Sequence, residues 1–299
     1  MPPQPREPMR SPLFEAYVEP ARLYPELWRV FVALGVIALI YAGCFALLLV
    51  GAYPVLGPLA YFGWMQGIMA PATPGQTLFV LASFIGMGLG VLIATPALHY
   101  REPGTLFGPM RDWMRGFFLS LAVLVPVYAA LFAIGRLVVS PDAGLPPDQW
   151  LRLLPFALVL VLIQTGSEEL LFRGYLQQQL AARFAARVVW MGLPALIFTA
   201  LHFNTMAGSN AWVIMVAILA FALAAADLTE RSGSLGIAMG WHFVNNCSAL
   251  LIVSVKGTIT GLALYVTPFE MSDRVMVPLA LGLDILVIFA IWRLLRALI

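Results

Sequence analysis

Of the 299 residues, 61% are hydrophobic and 11% charged, and the mean hydropathy is +0.90; soluble domains are roughly half apolar and a quarter charged. That balance excludes a soluble globular domain and calls for many membrane spans. A formal net charge of +2 on scattered basic residues excludes nucleic acid as a partner, and two cysteines inside apolar runs, Cys44 and Cys247, give neither a disulfide framework nor a CxxC metal site.

In chain order, residues 1–29 form a Pro-rich charged tail with Arg6, Arg10, Arg22 and Arg29 and no apolar core. The first apolar run, 30–50, is too long for a signal-peptide core and lacks a cleavage site, so it is expected to stay as a span. Residues 53–76 carry several Pro and Gly, no charge, and Tyr61, Phe62 and Trp64, which reads as an interfacial loop or a re-entrant piece. A second span, 77–98, has Gly86 and Gly90 in the small-xxx-small spacing that lets a neighbouring helix come close. The basic loop 99–115 sets Trp113 at headgroup level and His99 at the interface. A third span covers 116–139, and a turn-rich loop follows it. The fourth, 151–184, exceeds the ~20 residues that a bilayer needs, so Gln177, Gln178, Gln179 and Arg183 are expected to emerge into water. Spans five to eight read as 188–203, 211–226, 235–255 and 275–298.

The expected fold is therefore an all-α polytopic membrane protein with about eight transmembrane helices, a single membrane domain at 30–299 behind the 1–29 tail. Lys and Arg outside the spans fall mainly on the side of the N-terminus, the even-numbered loops and the C-terminus, which puts both termini in the cytoplasm. Among the 17 basic residues only Lys256 is a lysine, an arginine bias that suits a GC-rich bacterial genome and hence a bacterial inner membrane.

Chemistry is concentrated in Gln164-Thr165-Gly166-Ser167-Glu168-Glu169-Leu170-Leu171-Phe172-Arg173-Gly174. A charge at bilayer depth costs from ~3 to well over 10 kcal/mol, so three within six residues need a compensating use. Glu169 and Arg173, four apart, can pair on one helix face. Glu168 points about 100° away, with Phe172 in the place of an i+4 cation, and is left free to act as a proton acceptor. Span five repeats the four-residue spacing in Phe198 and His202, and span seven repeats it in His242 and Asn246. Buried polar groups need partners, and residues from these three spans can supply one another. From the chosen boundaries Glu168 and His242 both lie ~10 Å below the cytoplasmic edge, and His202 nearer ~20 Å.

Such a set can hydrolyse a peptide bond. Glu168 would take a proton from water, His242 and Asn246 would donate to the oxyanion, and His202 would orient the water or protonate the leaving amine. Ser167 adjoins the acids without any sign of activation. In the competing version, Glu168, His202 and His242 hold zinc in an open site that activates its bound water; there is no HExxH, and the sequence leaves the two versions open. Asp284, alone in span eight, has no nameable partner.

Glu168-Glu169-x-x-x-Arg173, Phe198-x-x-x-His202 and His242-x-x-x-Asn246, in order on successive helices, resemble the CPBP family, which comprises the type II CAAX prenyl proteases and bacteriocin-processing or immunity-type proteins. The resemblance covers about 151–255. It implies an intramembrane endopeptidase, metal-dependent or not, with a water-filled cavity open to the cytoplasm. It also implies Glu168 as the base, His202, His242 and Asn246 completing the site, and Glu169 and Arg173 supporting it. The implied partners are the lipid bilayer and a peptide or protein substrate, lipidated or not. Two other classes fit the residues: a proton-coupled transporter with Glu, His and Asp as a relay, and a scaffold or immunity protein with a silent site.

Overall fold

The computed structural model describes residues 10–299. It is a polytopic bundle of α-helices with one small sheet. The helices are α1 (Pro12–Val18), α2 (Leu27–Gln66), α3 (Pro74–His99), α4 (Met110–Val138), α5 (Pro147–Arg183), α6 (Val188–Ala200), α7 (Ala211–Ser232), α8 (Gly236–Cys247) and α9 (Met276–Leu298). Each of the eight expected spans is helical over most of its length. Among the described residues, six helices are long and apolar enough to cross a membrane, one of them formed by α7 and the turn before it, whereas α6 and α8 are shorter. Helix α8, with His242 and Asn246, is mostly buried in the bundle, whereas α6 is partly exposed and His202 lies just beyond its end.

Helix α3 opens on a capping box: Thr73 accepts from the Gln76 amide and the Gln76 side chain accepts from the Thr73 amide, which satisfies two orphan donors. Its glycine pair works as the spacing predicts. A Cβ on Gly86 would lie 2.6 Å from the Cys44 Cβ, and one on Gly90 would lie 3.0 Å from the Ile37 Cα, so α2 and α3 touch almost backbone to backbone. Gly86→Val is accordingly expected to cost about 1–3 kcal/mol by overpacking, read as a lower unfolding midpoint in detergent micelles. An unchanged midpoint would show that the helices can part freely.

Several expectations change. The piece 53–76 is mostly helical rather than a loop: α2 continues to Gln66 through a sharp bend at Gly57, whose φ of 74° is open to glycine, between Pro54 and Pro58. The stretch 12–23 is folded rather than an apolar-poor tail. Ser11 caps α1, and Phe14, Tyr17, Val18 and Ala21 are buried, with the Phe14 ring 4.9 Å from that of Trp190. Gln177, Gln178 and Gln179 do not emerge into water but are buried. Gln177 donates to the Ala226 carbonyl (3.1 Å), Gln178 donates to that of Thr105 (3.1 Å), and Gln178 and Gln179 accept from Arg101. His99 is buried too, between the Tyr24 carbonyl (3.0 Å) and the Tyr175 hydroxyl (2.8 Å). The cause is common to both corrections: an ordered inter-helix loop, 100–109, and the N-terminal segment fold over the end of α5 and supply the partners that water would have supplied.

Residues 248–255 do not complete a long helix. After a π-helical turn at Ser248–Ile252 the chain enters strand β2 (Val253–Lys256), which pairs parallel with β3 (Tyr265–Glu270); β1 (Asp142–Ala143) pairs antiparallel on the other edge of β3. Trp150 donates to the Leu251 carbonyl (2.8 Å), tying the start of α5 to this turn.

Candidate active site

Helix α5 carries the two glutamates at its centre and unwinds into a π-helical stretch, Leu170–Leu176, directly after them. Helix α8 does the same after Cys247. π-turns are rare and occur preferentially at functional sites, and here they flank the polar residues on both helices.

The predicted pair is present. The Glu169 carboxylate is fully buried, and its Oε1 accepts from Arg173 at 2.9 Å. The guanidinium also donates to the Ala222 carbonyl of α7 at 3.3 Å and lies over the Phe198 ring, 4.7 Å from its centroid. Arg173 therefore joins α5, α6 and α7 around one buried charge. The same Glu169 Oε1 takes a second hydrogen bond, from Nδ1 of His242 at 2.8 Å. A carboxylate accepts, so this nitrogen carries a proton, and in the neutral tautomer that follows Nε2 presents its lone pair.

That lone pair faces the other glutamate. Nε2 of His242 stands 3.5 Å from Oε2 of Glu168, and this oxygen has no hydrogen-bond partner although Glu168 is 6% exposed. Two acceptors at that distance make a socket for one proton, or for a water that donates to both. The pairing of His242 with both acids was not expected from the sequence, where it was grouped with Asn246 as an oxyanion donor.

Asn246 sits one turn along α8 and donates to Oε1 of Gln164 at 2.8 Å. Gln164 was missed as a functional residue, though its signal was in the sequence: it precedes Glu168 by four and so lies on the same face of α5. Neighbouring Asn245 accepts from the Tyr128 hydroxyl at 2.7 Å, tying α8 to α4. Ser167 turns away and donates to the Phe84 carbonyl of α3 at 2.9 Å.

His202 is placed differently from the others. α6 ends at Ala200, and His202 lies in the following turn, exposed, with Nδ1 2.7 Å from the Phe198 carbonyl and its ring 4.5 Å from the Phe198 ring. That carbonyl fixes the proton on Nδ1 and leaves Nε2 as an acceptor. Glu168, His202, His242, Asn246 and Gln164 all line one cavity of about 670 Å³, walled by Phe172, Phe198 and Phe221. His202 thus shares the cavity with Glu168 and His242. Asp284 of α9 lines the same cavity.

The donors do not come together as a metal set. Among the described residues no three His, Cys, Asp or Glu side chains are placed to hold one ion. Both histidines spend Nδ1 on a protein acceptor, His242 on Glu169 and His202 on the Phe198 carbonyl.

This fold and this site are those of a membrane-embedded helical protein with an acid-histidine-amide constellation inside the bundle. Residues 150–248 match the family described as Type II CAAX prenyl endopeptidase Rce1-like. That segment holds the pair on α5, the turn after α6, and α8. The chain is also 28% identical over 182 residues, 58% of its length, to the "Uncharacterized protein YyaK" of Bacillus subtilis (strain 168), and spans 59% of the length of that relative. No solved structure gives a significant match.

Proposed function

We propose that this protein is an intramembrane endopeptidase that hydrolyses a peptide bond with a water activated by Glu168 and His242. The observation that carries the reading is the 3.5 Å gap between the unpartnered Glu168 Oε2 and the His242 Nε2, inside a cavity large enough for an extended peptide. A water there loses one proton into that gap. Its oxygen attacks the carbonyl carbon, and the C–N bond then breaks as the held proton passes to the leaving amine.

The other residues follow from their hydrogen bonds. Glu169, held by Arg173, fixes the tautomer and tilt of His242, so it positions rather than reacts. Asn246 gives one amide hydrogen to Gln164 and keeps the other for the oxyanion. His202, an acceptor at Nε2, orients the water. Gln164→Ala would free the Asn246 amide to turn, and kcat is expected to fall about tenfold, the 1.4 kcal/mol of roughly one hydrogen bond, with KM little changed. Equal kcat would remove Gln164 from the account.

The Rce1-like match at 150–248 supports a CAAX-type substrate. A second groove of about 720 Å³ between α6, α7 and α9, lined by apolar residues such as Met191, Leu196, Leu219 and Phe289, shares Ile288 with the polar cavity and suits a hydrocarbon chain of a lipidated peptide. The arginine-rich composition and the distribution of basic residues support a bacterial inner membrane with the site open to the cytoplasm. The test is to reconstitute the protein in liposomes with a peptide library, half of it prenylated, and map new termini by mass spectrometry. Defined cleavage sites are expected; an intact library would reject the reading.

A further inference from the structure

Asp284 stands outside the Rce1-like segment and has no part in the chemistry above, yet it lines the same cavity. It is the ninth residue of α9, which places it ~12 Å into the helix at 1.5 Å per residue, where a charge is costly to leave unmatched. No hydrogen bond or ion pair within the described residues engages it. Nor can the cavity lining match it from within. That lining contains Glu168 and Asp284 but no Lys or Arg, and Glu168 is itself a buried carboxylate with an unpartnered oxygen. The nearby guanidinium of Arg173 is already bound to Glu169 and to the Ala222 carbonyl.

A cavity with two carboxylates and no Lys or Arg disfavours acidic groups and favours a basic one, because like charges left unpaired are one way a binding site discriminates. We propose that Asp284 is the specificity residue of the cavity, and that the peptide it receives carries a Lys or Arg side chain close to the bond that is cut. This rests on the hydrolytic reading for the word "cut", but the recognition itself does not depend on turnover. On binding, the ammonium or guanidinium would pair with Asp284 and draw the neighbouring carbonyl toward the Glu168–His242 gap.

The experiment uses full-length protein in nanodiscs and four peptides that differ only in one central residue: Lys, Arg, Ala or Glu. In wild type, kcat/KM is expected to favour Lys and Arg over Ala by at least about tenfold, or 1.4 kcal/mol. Asp284→Asn should bring that ratio close to one, Asp284→Glu should restore it, and Asp284→Lys should turn the preference toward the Glu peptide. A merely structural Asp284 would lower all four rates together and leave the ratio alone, which would overturn the proposal. In parallel, a fluorescein-labelled Lys peptide is titrated against Glu168→Gln and against Glu168→Gln/Asp284→Asn. About tenfold weaker binding by the double variant is expected, and equal binding is the contrary result. Wild type that binds the Lys peptide but cuts nothing would reject hydrolysis and keep the recognition. Wild type that cuts all four peptides alike would do the reverse.

Discussion

Glu168→Gln is expected to insert and fold as the wild type does while hydrolysis falls by about 10²- to 10⁴-fold, the usual weight of a general base. Glutamine has nearly the same shape and can donate its amide to Nε2 of His242, so the aromatic wall of the cavity and the Glu169–Arg173 pair behind it are undisturbed. What is lost is the ability to hold a proton in the 3.5 Å gap. The loss should appear in kcat with KM little altered, since the missing interaction forms only as the water is deprotonated. Paired measurement of turnover and of unfolding midpoint checks both halves; full activity in a folded variant would mean that another group takes the proton.

The second large effect falls on stability. Arg173→Ala leaves Glu169, fully buried, with His242 alone, and removes a guanidinium that also binds the Ala222 carbonyl and covers Phe198. Breaking a buried pair from one side costs about 3–5 kcal/mol because the partner charge stays behind unmatched. Replacing both members, as Glu169→Gln with Arg173→Met, should recover much of that stability but not activity, because His242 then loses the carboxylate that sets its tautomer. Unfolding in mixed micelles followed by tryptophan fluorescence separates the two variants. If the single and double variants unfold alike, the pair carries no buried charge.

The pattern of apolar runs was enough for the helical class and for the long spans, because a bilayer-length run of hydrophobic residues has few other uses, but not for the shortness of the helices within 188–203 and 235–255. The Glu169–Arg173 pair and the isolation of Glu168 were legible for the same kind of reason: helix periodicity fixes neighbours four apart. Contacts between helices were not legible. That His242 would join both acids depends on the close approach of α5 and α8, and nothing local in His242-Phe243-Val244-Asn245-Asn246 encodes it. The small sheet was hidden because strands of two to six residues at the end of an apolar run look like its continuation. Gln177, Gln178 and Gln179 were expected in water because polarity marks exposure only when no folded loop competes for the same hydrogen bonds. Residue Asp284 shows the opposite case: the sequence marked it as unusual, and only the fold says which cavity it faces.

The central claim is that the Glu168 carboxylate itself accepts the water proton, and chemical rescue tests it most directly. Glu168→Ala opens room in the cavity for a small carboxylate, and its hydrolysis of a substrate peptide is measured with and without formate. The account predicts a nearly silent variant whose turnover rises with formate concentration while the wild type is unaffected. A Glu168→Ala protein that cleaves at the wild-type rate, indifferent to formate, would contradict it.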